Sequence, residues 1–282
     1  MQNIFYAHAK INWALNITGR RDDGYHLLDM LMQSIALRDE LRVEPADALS
    51  LTVNGEPAGE DNLVLRAARA LNRHAGRSLG ARMALEKRVP ARAGLGGGSA
   101  DCAAALIALN ALWGLGLSRE TMMRLGERLG ADVPFCLTGG LAIVRGIGEQ
   151  IERVPDAPEI PLVLVRPGDG LSTGEVFSLW DGGGFPKVRL DTRALAEAVA
   201  RRDLRAVDAL CANALTAPAV SLMPEIASLI SNMRALGAAA AFMTGSGSTV
   251  VGAFEDASAA ARAANLIPGA ILTQTLREIP RP

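Results

Sequence analysis

Apolar and polar residues alternate near the start of the chain with a period of two. Within residues 10–17, large apolar side chains occupy the odd positions, and Lys10, Asn12 and Asn16 occupy three of the even ones. Because successive side chains of a β-strand point to opposite faces, this alternation predicts a strand with one apolar and one polar face. We therefore expect Lys10, Asn12 and Asn16 to lie together on the polar face.

The same pattern predicts further elements in the first half of the chain. Residues 62–74 have apolar side chains at helical spacing, and the Ala- and Leu-rich residues 99–113 predict a second helix. Ser118 is a typical N-cap for a third helix that ends at residue 129. The strands predicted in this half are 32–37, 40–43, 49–53, 83–89 and a hairpin of 141–145 with 150–154.

A proline-rich stretch, PDAPEIP at residues 155–161, interrupts the pattern and predicts a domain boundary. We expect an N-terminal domain of residues 1–155 and a C-terminal domain of residues 156–282. Helices and strands mix without a regular βαβ order, which favours the α+β class. Beyond the boundary, the sequence predicts a glycine-rich loop at 182–184, helices at 192–201, 224–236 and 257–265, and strands at 162–165, 239–243, 250–254 and 271–276.

The composition limits the possible functions without indicating one. The 282 residues are 49% hydrophobic, enough for two domains, and 29 basic residues balance 30 acidic ones. No overall charge therefore favours nucleic acid or an anionic membrane surface. The three cysteines form no CxxC pair, which is typical of reduced thiols. With no signal peptide and no apolar run of about 18 residues, we expect a cytoplasmic protein without a membrane span.

The most informative segment is PARAGLGGGSA, in which glycines lead directly into a predicted helix. Glycine amides and a helix N-terminus together often bind phosphate. The alternative is a tight turn without a ligand, but four glycines within five positions favour phosphate binding. The segment comprises Pro90, Ala91, Arg92, Ala93, Gly94, Leu95, Gly96, Gly97, Gly98, Ser99 and Ala100.

Two familiar glycine-loop patterns do not fit this segment. A Walker-type loop has a lysine and then serine or threonine after its last glycine, whereas this loop reads GGSAD. A dinucleotide fingerprint follows the first strand of a βαβ unit, and this loop follows several predicted strands and a helix. The loop therefore has no lysine of its own, and these residues alone leave the phosphate donor open.

Lys10 and Asp132 are candidates for chemistry outside the loop. A lysine on a strand is usually a solvated charge, but Lys10 shares its predicted face with two asparagines, and the loop needs a cation. Asp132, in the segment GADVPF, is either a turn residue or a general base for a hydroxyl group.

Two further segments contain groups that could bind a ligand. The DGYH turn places Tyr25 beside His26, and these rings either pack at the surface or form a flat wall for a nucleobase. The later TGSGST segment, residues 244–249, is either a simple turn or a second oxyanion-binding loop. The three histidines are scattered and form no cluster with the cysteines, so we expect no structural metal site.

Three segments, in this order, resemble the motifs of the GHMP small-molecule kinases: AKINWALNITGRRDDGYH, PARAGLGGGSADCAAAL and MTGSGSTVVGAF. The resemblance spans almost the whole chain. It implies a two-domain α+β fold, with an N-terminal domain like the second domain of ribosomal protein S5 and a ferredoxin-like C-terminal domain. The site would lie in the cleft between them.

The AKIN, DGYH and GADVPF segments are similar to family members that act on a cytidine diphosphate-linked methylerythritol. This resemblance implies ATP-dependent phosphorylation of the 2-hydroxyl group of that small molecule, with Mg²⁺. It also implies that residues 90–100 bind the ATP phosphates, that Asp132 is the general base, and that Lys10 stabilises Asp132 and the transferred charge. The implied substrate contacts are Asn12, Tyr25, His26 and Thr173, with Tyr25 and His26 recognising the cytosine.

Two other functions fit parts of the sequence. A GHMP kinase for homoserine or mevalonate would have no use for Tyr25 and His26, and an inactive nucleotide-binding regulator would not need both Lys10 and Asp132. Three features depart from the family pattern: Cys102 after the loop, GSGST in place of GSGPT, and WDGGGFP at residues 180–186, to which the sequence assigns no role.

Overall fold

The computed structural model describes residues 3–279 and contains two β-sheets with helices packed on them, which confirms the α+β class. The strands of the seven-stranded sheet all lie within residues 4–154, and those of the four-stranded sheet within residues 161–274. In chain order the elements are β1 (Ile4–Arg20), β2 (His26–Pro45), β3 (Leu49–Val53), β4 (Glu56–Pro57), α1 (Leu63–Ala75), β5 (Ala81–Glu86), α2 (Gly97–Leu112), α3 (Arg119–Glu127), α4 (Val133–Thr138), β6 (Leu141–Gly146), β7 (Gln150–Val154), β8 (Pro161–Val165), α5 (Thr173–Asp181), α6 (Thr192–Ala200), α7 (Leu204–Leu210), α8 (Thr216–Leu222), α9 (Glu225–Ala235), β9 (Ala240–Met243), β10 (Val250–Ala253), α10 (Ala257–Leu266) and β11 (Ile271–Gln274).

The long strand β2 organises the larger sheet. β1 pairs antiparallel along one edge of β2, while β5 and β6 pair with its two ends on the other edge. The prediction of two strands, 32–37 and 40–43, was wrong because the chain continues through Arg38 and Asp39. Asp39 is fully buried, and its carboxylate accepts hydrogen bonds from two backbone N–H groups, so a charged residue is accommodated within the strand.

A bulge in β1 changes which of its residues share a face. Asn12 lies opposite Met32, and Ala14 lies opposite the next residue, Leu31. Trp13 is therefore an extra residue on β1, and simple alternation of faces stops there.

The bulge overturns one expectation about the polar face of β1. Lys10 and Asn12 line the cavity described below, but the next residue of β1 to line it is Leu15. The expectation that Asn16 lies on the same face was wrong, because the bulge shifts the side chains up to the next register shift, after Ile17, to the other face.

Helix α2 passes through the larger hydrophobic core, where most of its Ala and Leu side chains are buried. It begins at Gly97, two residues before the predicted start. Within residues 3–279 it is the longest helix, with 16 residues, and no helix of that region combines the length and apolar character needed to cross a membrane. Four helices were not predicted: α4, α5, α7 and α8, whose six to nine residues are too few to establish a periodic pattern.

The four-stranded sheet is antiparallel, in the order β11, β8, β10, β9. The segment after β11 is bonded to the larger sheet, because Leu276 N–H donates a 2.8 Å hydrogen bond to the Ser34 carbonyl oxygen in β2. The segment between α7 and α8 is bonded to β1, where the Leu15 carbonyl oxygen accepts a 2.8 Å hydrogen bond from Ala214 N–H. The division into domains at residues 155 and 156 stays a prediction.

The three cysteines are free thiols, and Cys102 and Cys136 are buried. Burial raises the pKa of Cys102 to about 12, so this side chain is neutral at physiological pH. Cys102 therefore packs as a small apolar residue in the helix after the glycine loop.

Candidate active site

The segment before α2 has a backbone conformation that favours glycine. Arg92, Gly94 and Gly96 have φ angles of +52°, +74° and +67°, and α2 begins at the next residue. The first N–H groups of α2 have no carbonyl partner within the helix, so this end has a partial positive charge. Residues 90–99 all line one cavity, whereas Ala100 packs in the core.

This cavity has a volume of about 620 Å³. Its lining residues come both from the part of the chain that forms the seven-stranded sheet and from the part that forms the four-stranded sheet. Its size is in the usual range for small-molecule sites. One apolar group of lining residues comes from β3, α1, β5 and the segment after β5: Val53, Leu63, Leu85 and Val89. A second group comes from β1 and β2: Leu15, Leu28 and Met30.

Lys10 and Asp132 form an ion pair beside the glycine loop. Lys10 Nζ lies 3.3 Å from Asp132 Oδ2 and donates a 2.6 Å hydrogen bond to Asn12 Oδ1. The backbone N–H of Lys10 donates to the Leu95 carbonyl oxygen at 3.0 Å, so β1 is bonded directly to the loop. The Lys10 side chain is 5% exposed and that of Asp132 is 29% exposed, so the pair is accessible mainly through its carboxylate.

Gly96 lies where these groups meet. A Cβ atom at this position would lie 2.9 Å from Lys10 Cε and 3.5 Å from Asp132 Oδ2. Both the positive φ angle and the lack of space favour glycine. The loop, the ammonium group and the carboxylate are thus packed around one point.

Asp132 occupies the N-cap position of α4, but its side chain makes no capping hydrogen bond. An aspartate at this position usually accepts a bond from the first N–H groups of the helix. Here Lys10 holds the carboxylate instead, and Asp132 lines the cavity. A carboxylate oxygen is therefore available to a hydroxyl group bound there.

The TGSGST segment borders the cavity from the C-terminal part of the chain. Thr244 Oγ1 accepts a 2.8 Å hydrogen bond from Asn12 N–H, and Ser246 Oγ lies 2.8 Å from Thr173 Oγ1. A Cβ atom at Gly94 would lie 2.3 Å from the Thr244 carbonyl oxygen, so the two glycine-rich loops are in backbone contact. Asn12 and Thr173, both expected at the site, line the cavity.

Tyr25 and His26 are adjacent in sequence, but the structure pairs His26 with a different ring. Tyr25 is 60% exposed, while the His26 ring stacks on Phe177 with centroids 4.7 Å apart. His26 Nε2 donates a 2.7 Å hydrogen bond to Asp181 Oδ1. Because Phe177 lines the cavity, His26 is connected to it through α5. A substrate contact by Tyr25 or His26 stays a prediction.

The WDGGGFP segment begins beside His26. The rings of Trp180 and His26 meet edge to face, with centroids 5.9 Å apart, and the Asp181 carboxylate also lies 3.5 Å from the Arg20 guanidinium. Positive φ angles at Gly183 and Gly184 confirm the predicted glycine loop. The start of this segment therefore holds the His26 ring in place.

Phe177 and Lys87 are candidate site residues that the sequence analysis missed. Phe177 belongs to a helix that was not predicted, although an aromatic residue four positions after Thr173 was a usable signal. Lys87 was visible as one of three lysines in the chain, and it lies three residues before the first residue of the loop. Both side chains line the cavity.

Lys87 lies between two buried carboxylates. Its Nζ contacts Asp39 and lies 2.6 Å from Asp101 Oδ2. Burial raises the pKa of Asp101 to about 7. Burial acts to lower the pKa of Lys87, but the charges and hydrogen bonds of Asp101 and Asp39 raise it overall.

The cavity has oxygen donors suited to a nucleotide-bound cation. Within residues 3–279, no group of three or more His, Cys, Asp or Glu side chains is arranged to hold a metal ion. Besides Asp132, the cavity contains the hydroxyl groups of Ser99, Thr173 and Ser246. Mg²⁺ typically binds one or two protein oxygens together with substrate phosphates and water. This donor set therefore fits Mg²⁺ that is bound with a nucleotide.

The chain matches known proteins over most of its length. Two family descriptions fit it: "GHMP kinases N terminal domain" at residues 62–140 and "GHMP kinases C terminal" at residues 195–268. A relative from Pelotomaculum thermopropionicum, named 4-diphosphocytidyl-2-C-methyl-D-erythritol kinase, is 45% identical over 262 residues, which cover 92% of this chain and 91% of the relative. The chain belongs to the GHMP kinases.

Solved structures agree with this assignment. The crystal structure of a 4-(cytidine 5'-diphospho)-2C-methyl-D-erythritol kinase matches this GHMP kinase with a TM-score of 0.81 and 38% identity, covering 96% of this chain and 98% of the other. A homoserine kinase from Cytophaga hutchinsonii matches with a TM-score of 0.70 but only 17% identity, over 99% and 96% of the two chains, and so shows the shared fold alone. As a member of this family, the chain is a kinase with ATP as its phosphate donor.

Proposed function

We propose that this GHMP kinase transfers the γ-phosphoryl group of ATP to the 2-hydroxyl group of 4-diphosphocytidyl-2-C-methyl-D-erythritol. The observation that carries the proposal is the ion pair of Lys10 and Asp132, 3.3 Å apart beside the glycine loop. The choice of acceptor is supported by relatives of 37–45% identity that are named for that substrate.

ATP would occupy the side of the cavity formed by the glycine loop and β5. The backbone N–H groups of the loop after Pro90 and the N-terminus of α2 suit the phosphates. The apolar side chains of Val53, Leu63, Leu85 and Val89 suit the purine base. Mg²⁺ bound with ATP would neutralise charge on the phosphates, with the Ser99 hydroxyl as the candidate protein ligand.

Asp132 would act as the general base for the acceptor hydroxyl group. It would take the proton as the hydroxyl oxygen bonds to the γ-phosphorus and the bond to the β-phosphate oxygen breaks, which releases ADP. Lys10 holds one oxygen of that carboxylate and lies at Gly96, so its ammonium group would stabilise the transferring charge. Because this chemistry depends on position and charge, a buried Lys10 held by Asn12 and Asp132 suits it.

The acceptor would occupy the side of the cavity near β1, β2 and α5. Asn12 and Thr173 would contact its hydroxyl groups, and Tyr25 and His26 would recognise the cytosine. Two observations support the latter role: the Tyr25 ring is exposed, and Asp181 fixes the His26 ring through Nε2, which leaves Nδ1 for the edge of a base. Phe177 adds an aromatic surface between His26 and the cavity.

The direct test offers ATP with one acceptor at a time and measures ADP release. We expect ADP from the cytidine diphosphate substrate, but not from homoserine or mevalonate, and competitive inhibition by cytidine diphosphate against that acceptor. Activity on homoserine or mevalonate alone would contradict the proposed acceptor. Binding of ATP without ADP release on any acceptor would indicate a regulator instead. The expectations of a cytoplasmic location and of no nucleic-acid partner stay predictions.

A further inference from the structure

Three charged side chains, two of them buried carboxylates, join the two ends of the phosphate loop: Asp39, Lys87 and Asp101, here called the loop cluster. Asp39 lies in β2 and is fully buried. Its Oδ1 accepts hydrogen bonds from the backbone N–H groups of Arg88 and Val89, and its Oδ2 accepts one from Lys87 Nζ. Asp39 thereby fixes the segment immediately before the loop.

Lys87 connects that segment to the helix that follows the loop. Its Nζ donates a 2.6 Å hydrogen bond to Oδ2 of Asp101, which lies in α2. A Cβ atom at Gly97 would lie 3.4 Å from Lys87 Nζ and 3.0 Å from Val89 Cγ1, so the start of α2 packs directly on this segment. One ammonium group therefore holds both ends of the loop.

Burial of the charged groups of the loop cluster costs free energy that a simple turn would not require. The loop cluster buries two carboxylates beside a partly exposed ammonium group, and Asp101 Oδ1 has no hydrogen-bond partner in the described part of the chain. Packed apolar side chains often stabilise a fold as well as or better than a buried ionic cluster. Lys87 and Asp101 also line the nucleotide side of the cavity. Buried charges beside a binding cavity are candidates for function.

We propose that the loop cluster positions the phosphate loop for ATP, and that Lys87 is a positioning residue, not a direct phosphate ligand. This inference rests on the proposed function, because it assigns the ATP phosphates to that loop. Two of the three N–H bonds of Lys87 are directed at Asp39 and Asp101. The cluster thus sets the distance between the entry of the loop and α2, and with it the direction of the glycine N–H groups.

The direction in which Asp101→Ala changes the affinity for ATP distinguishes the two possible roles of Lys87. If Lys87 bound phosphate directly, loss of Asp101 would free the ammonium group and tighten ATP binding. If Lys87 positions the loop, loss of Asp101 releases α2 and weakens ATP binding, by about tenfold, the usual scale for such supporting contacts. Asp101→Asn retains an oxygen acceptor for Lys87 and should keep nearly the wild-type affinity.

The experiment measures binding of a non-hydrolysable ATP analogue by calorimetry, and the KM values for ATP and acceptor by steady-state kinetics, on the full chain. Lys87→Met should raise the dissociation constant and the KM for ATP by about tenfold or more, with the KM for acceptor nearly unchanged. Lys187→Met is the matched control, since Lys187 is exposed and is the remaining lysine besides Lys10. We expect it to behave as the wild type.

Tighter or unchanged nucleotide binding by Asp101→Ala would overturn the proposal. So would an equal rise in both KM values, which would indicate a general loss of structure. If Lys87→Met does not fold, Asp101→Ala and Asp101→Asn still decide the question. Because the calorimetric measurement contains no acceptor, an error in the proposed acceptor leaves this test unaffected.

Discussion

Lys10 is nearly excluded from solvent, yet two oxygen atoms compensate its charge, Asn12 Oδ1 at 2.6 Å and Asp132 Oδ2 at 3.3 Å. A buried ammonium group without such partners would destabilise the fold by several kcal/mol. The sequence pointed to Lys10 through its position among polar residues of a strand. It could not pair Lys10 with Asp132 on local pattern alone, because the two lie far apart in the chain. The family resemblance supplied that pairing.

Gly96→Ala tests whether the packing around Lys10 matters for activity. The new Cβ atom would lie 2.9 Å from Lys10 Cε, so Lys10 would have to leave its position between Asn12 and Asp132. We expect kcat/KM to fall by roughly tenfold or more, the scale on which small misplacements act. Gly114→Ala is the control, because Gly114 has a similar φ of +60° but no neighbouring atom within 4 Å.

Steady-state kinetics and urea unfolding of both variants provide the measurement. Gly114→Ala should lose about 1 kcal/mol of unfolding free energy from its backbone conformation and keep its activity. Equal activity of the two variants would contradict the account of Gly96.

His8 predicts a dependence of stability on pH. Burial, together with the nearby charge of Arg38, lowers the pKa of His8, although its hydrogen bond to the Ile35 carbonyl oxygen raises it. As pH falls below about 6.5, the ordinary pKa of histidine, unfolded His8 gains a proton that the folded protein resists. The free energy of unfolding should therefore fall on acidification, by at most about 1.4 kcal/mol per pH unit from this group.

Urea unfolding of the wild type and His8→Asn between pH 7.5 and 5.5 checks this prediction. Asparagine retains an N–H donor for the Ile35 carbonyl group but does not titrate. We expect the wild type to lose more stability than the variant across this range. Parallel pH profiles would show that His8 does not contribute.

At the scale of elements, the prediction succeeded where a pattern extended over several residues. The strand β3 was placed with its observed bounds, and α1 and the β6–β7 hairpin were found with small shifts at their ends. The elements that were predicted wrongly or missed each have a local physical cause. The bulge at Trp13 is invisible to an alternating pattern, and Asp39 was left between two predicted strands because the groups that bind its carboxylate lie elsewhere in the chain. Short helices such as α5 depend on tertiary contacts.

Phe177→Ala tests the role of α5 in binding the acceptor. Loss of the ring would remove the stacking partner of His26 and an aromatic surface of the cavity. We expect the KM for the cytidine substrate to rise by roughly tenfold or more, since stacking of a base on an aromatic side chain contributes about 1–3 kcal/mol. The KM for ATP should stay within about twofold, because the ring lies on the acceptor side.

Ser178→Ala is the matched control for this prediction, since Ser178 is exposed on the same helix. Steady-state kinetics with each substrate varied in turn gives both KM values. A rise in the KM for ATP alone would contradict the prediction, because it would place Phe177 on the ATP side of the cavity.

At the scale of the whole molecule, the site depends on contact between segments from both parts of the chain. The sequence analysis obtained a cleft between two domains only from the family resemblance, since no local pattern shows how two sheets meet. In the structure, Asn12 N–H donates to Thr244 Oγ1 at 2.8 Å, beside the backbone contact of Gly94 with the same segment. This junction holds the strand of Lys10 against the later loop.

Thr244→Val tests the junction. Valine has nearly the same shape but no acceptor, so the buried N–H group of Asn12 would lose its partner at a cost of about 1–3 kcal/mol of unfolding free energy. Thr249→Val is the control within the same segment, because the buried Thr249 Oγ1 has no hydrogen-bond partner in residues 3–279. That variant should be neutral or stabilising. Urea unfolding measures both, and a Thr244→Val variant as stable as the wild type would contradict the prediction.

The central claim is that Asp132 is the general base for phosphorylation of the cytidine diphosphate substrate. The most direct measurement follows ADP release and the phosphorus NMR spectrum of the product, with both substrates saturating, for the wild type and Asp132→Asn. Asp47→Asn, a change at an exposed residue, is the control. We predict a 2-phosphorylated product from the wild type and the control, and a loss of turnover of about 10²-fold or more for Asp132→Asn. Near-normal turnover of Asp132→Asn would contradict the account.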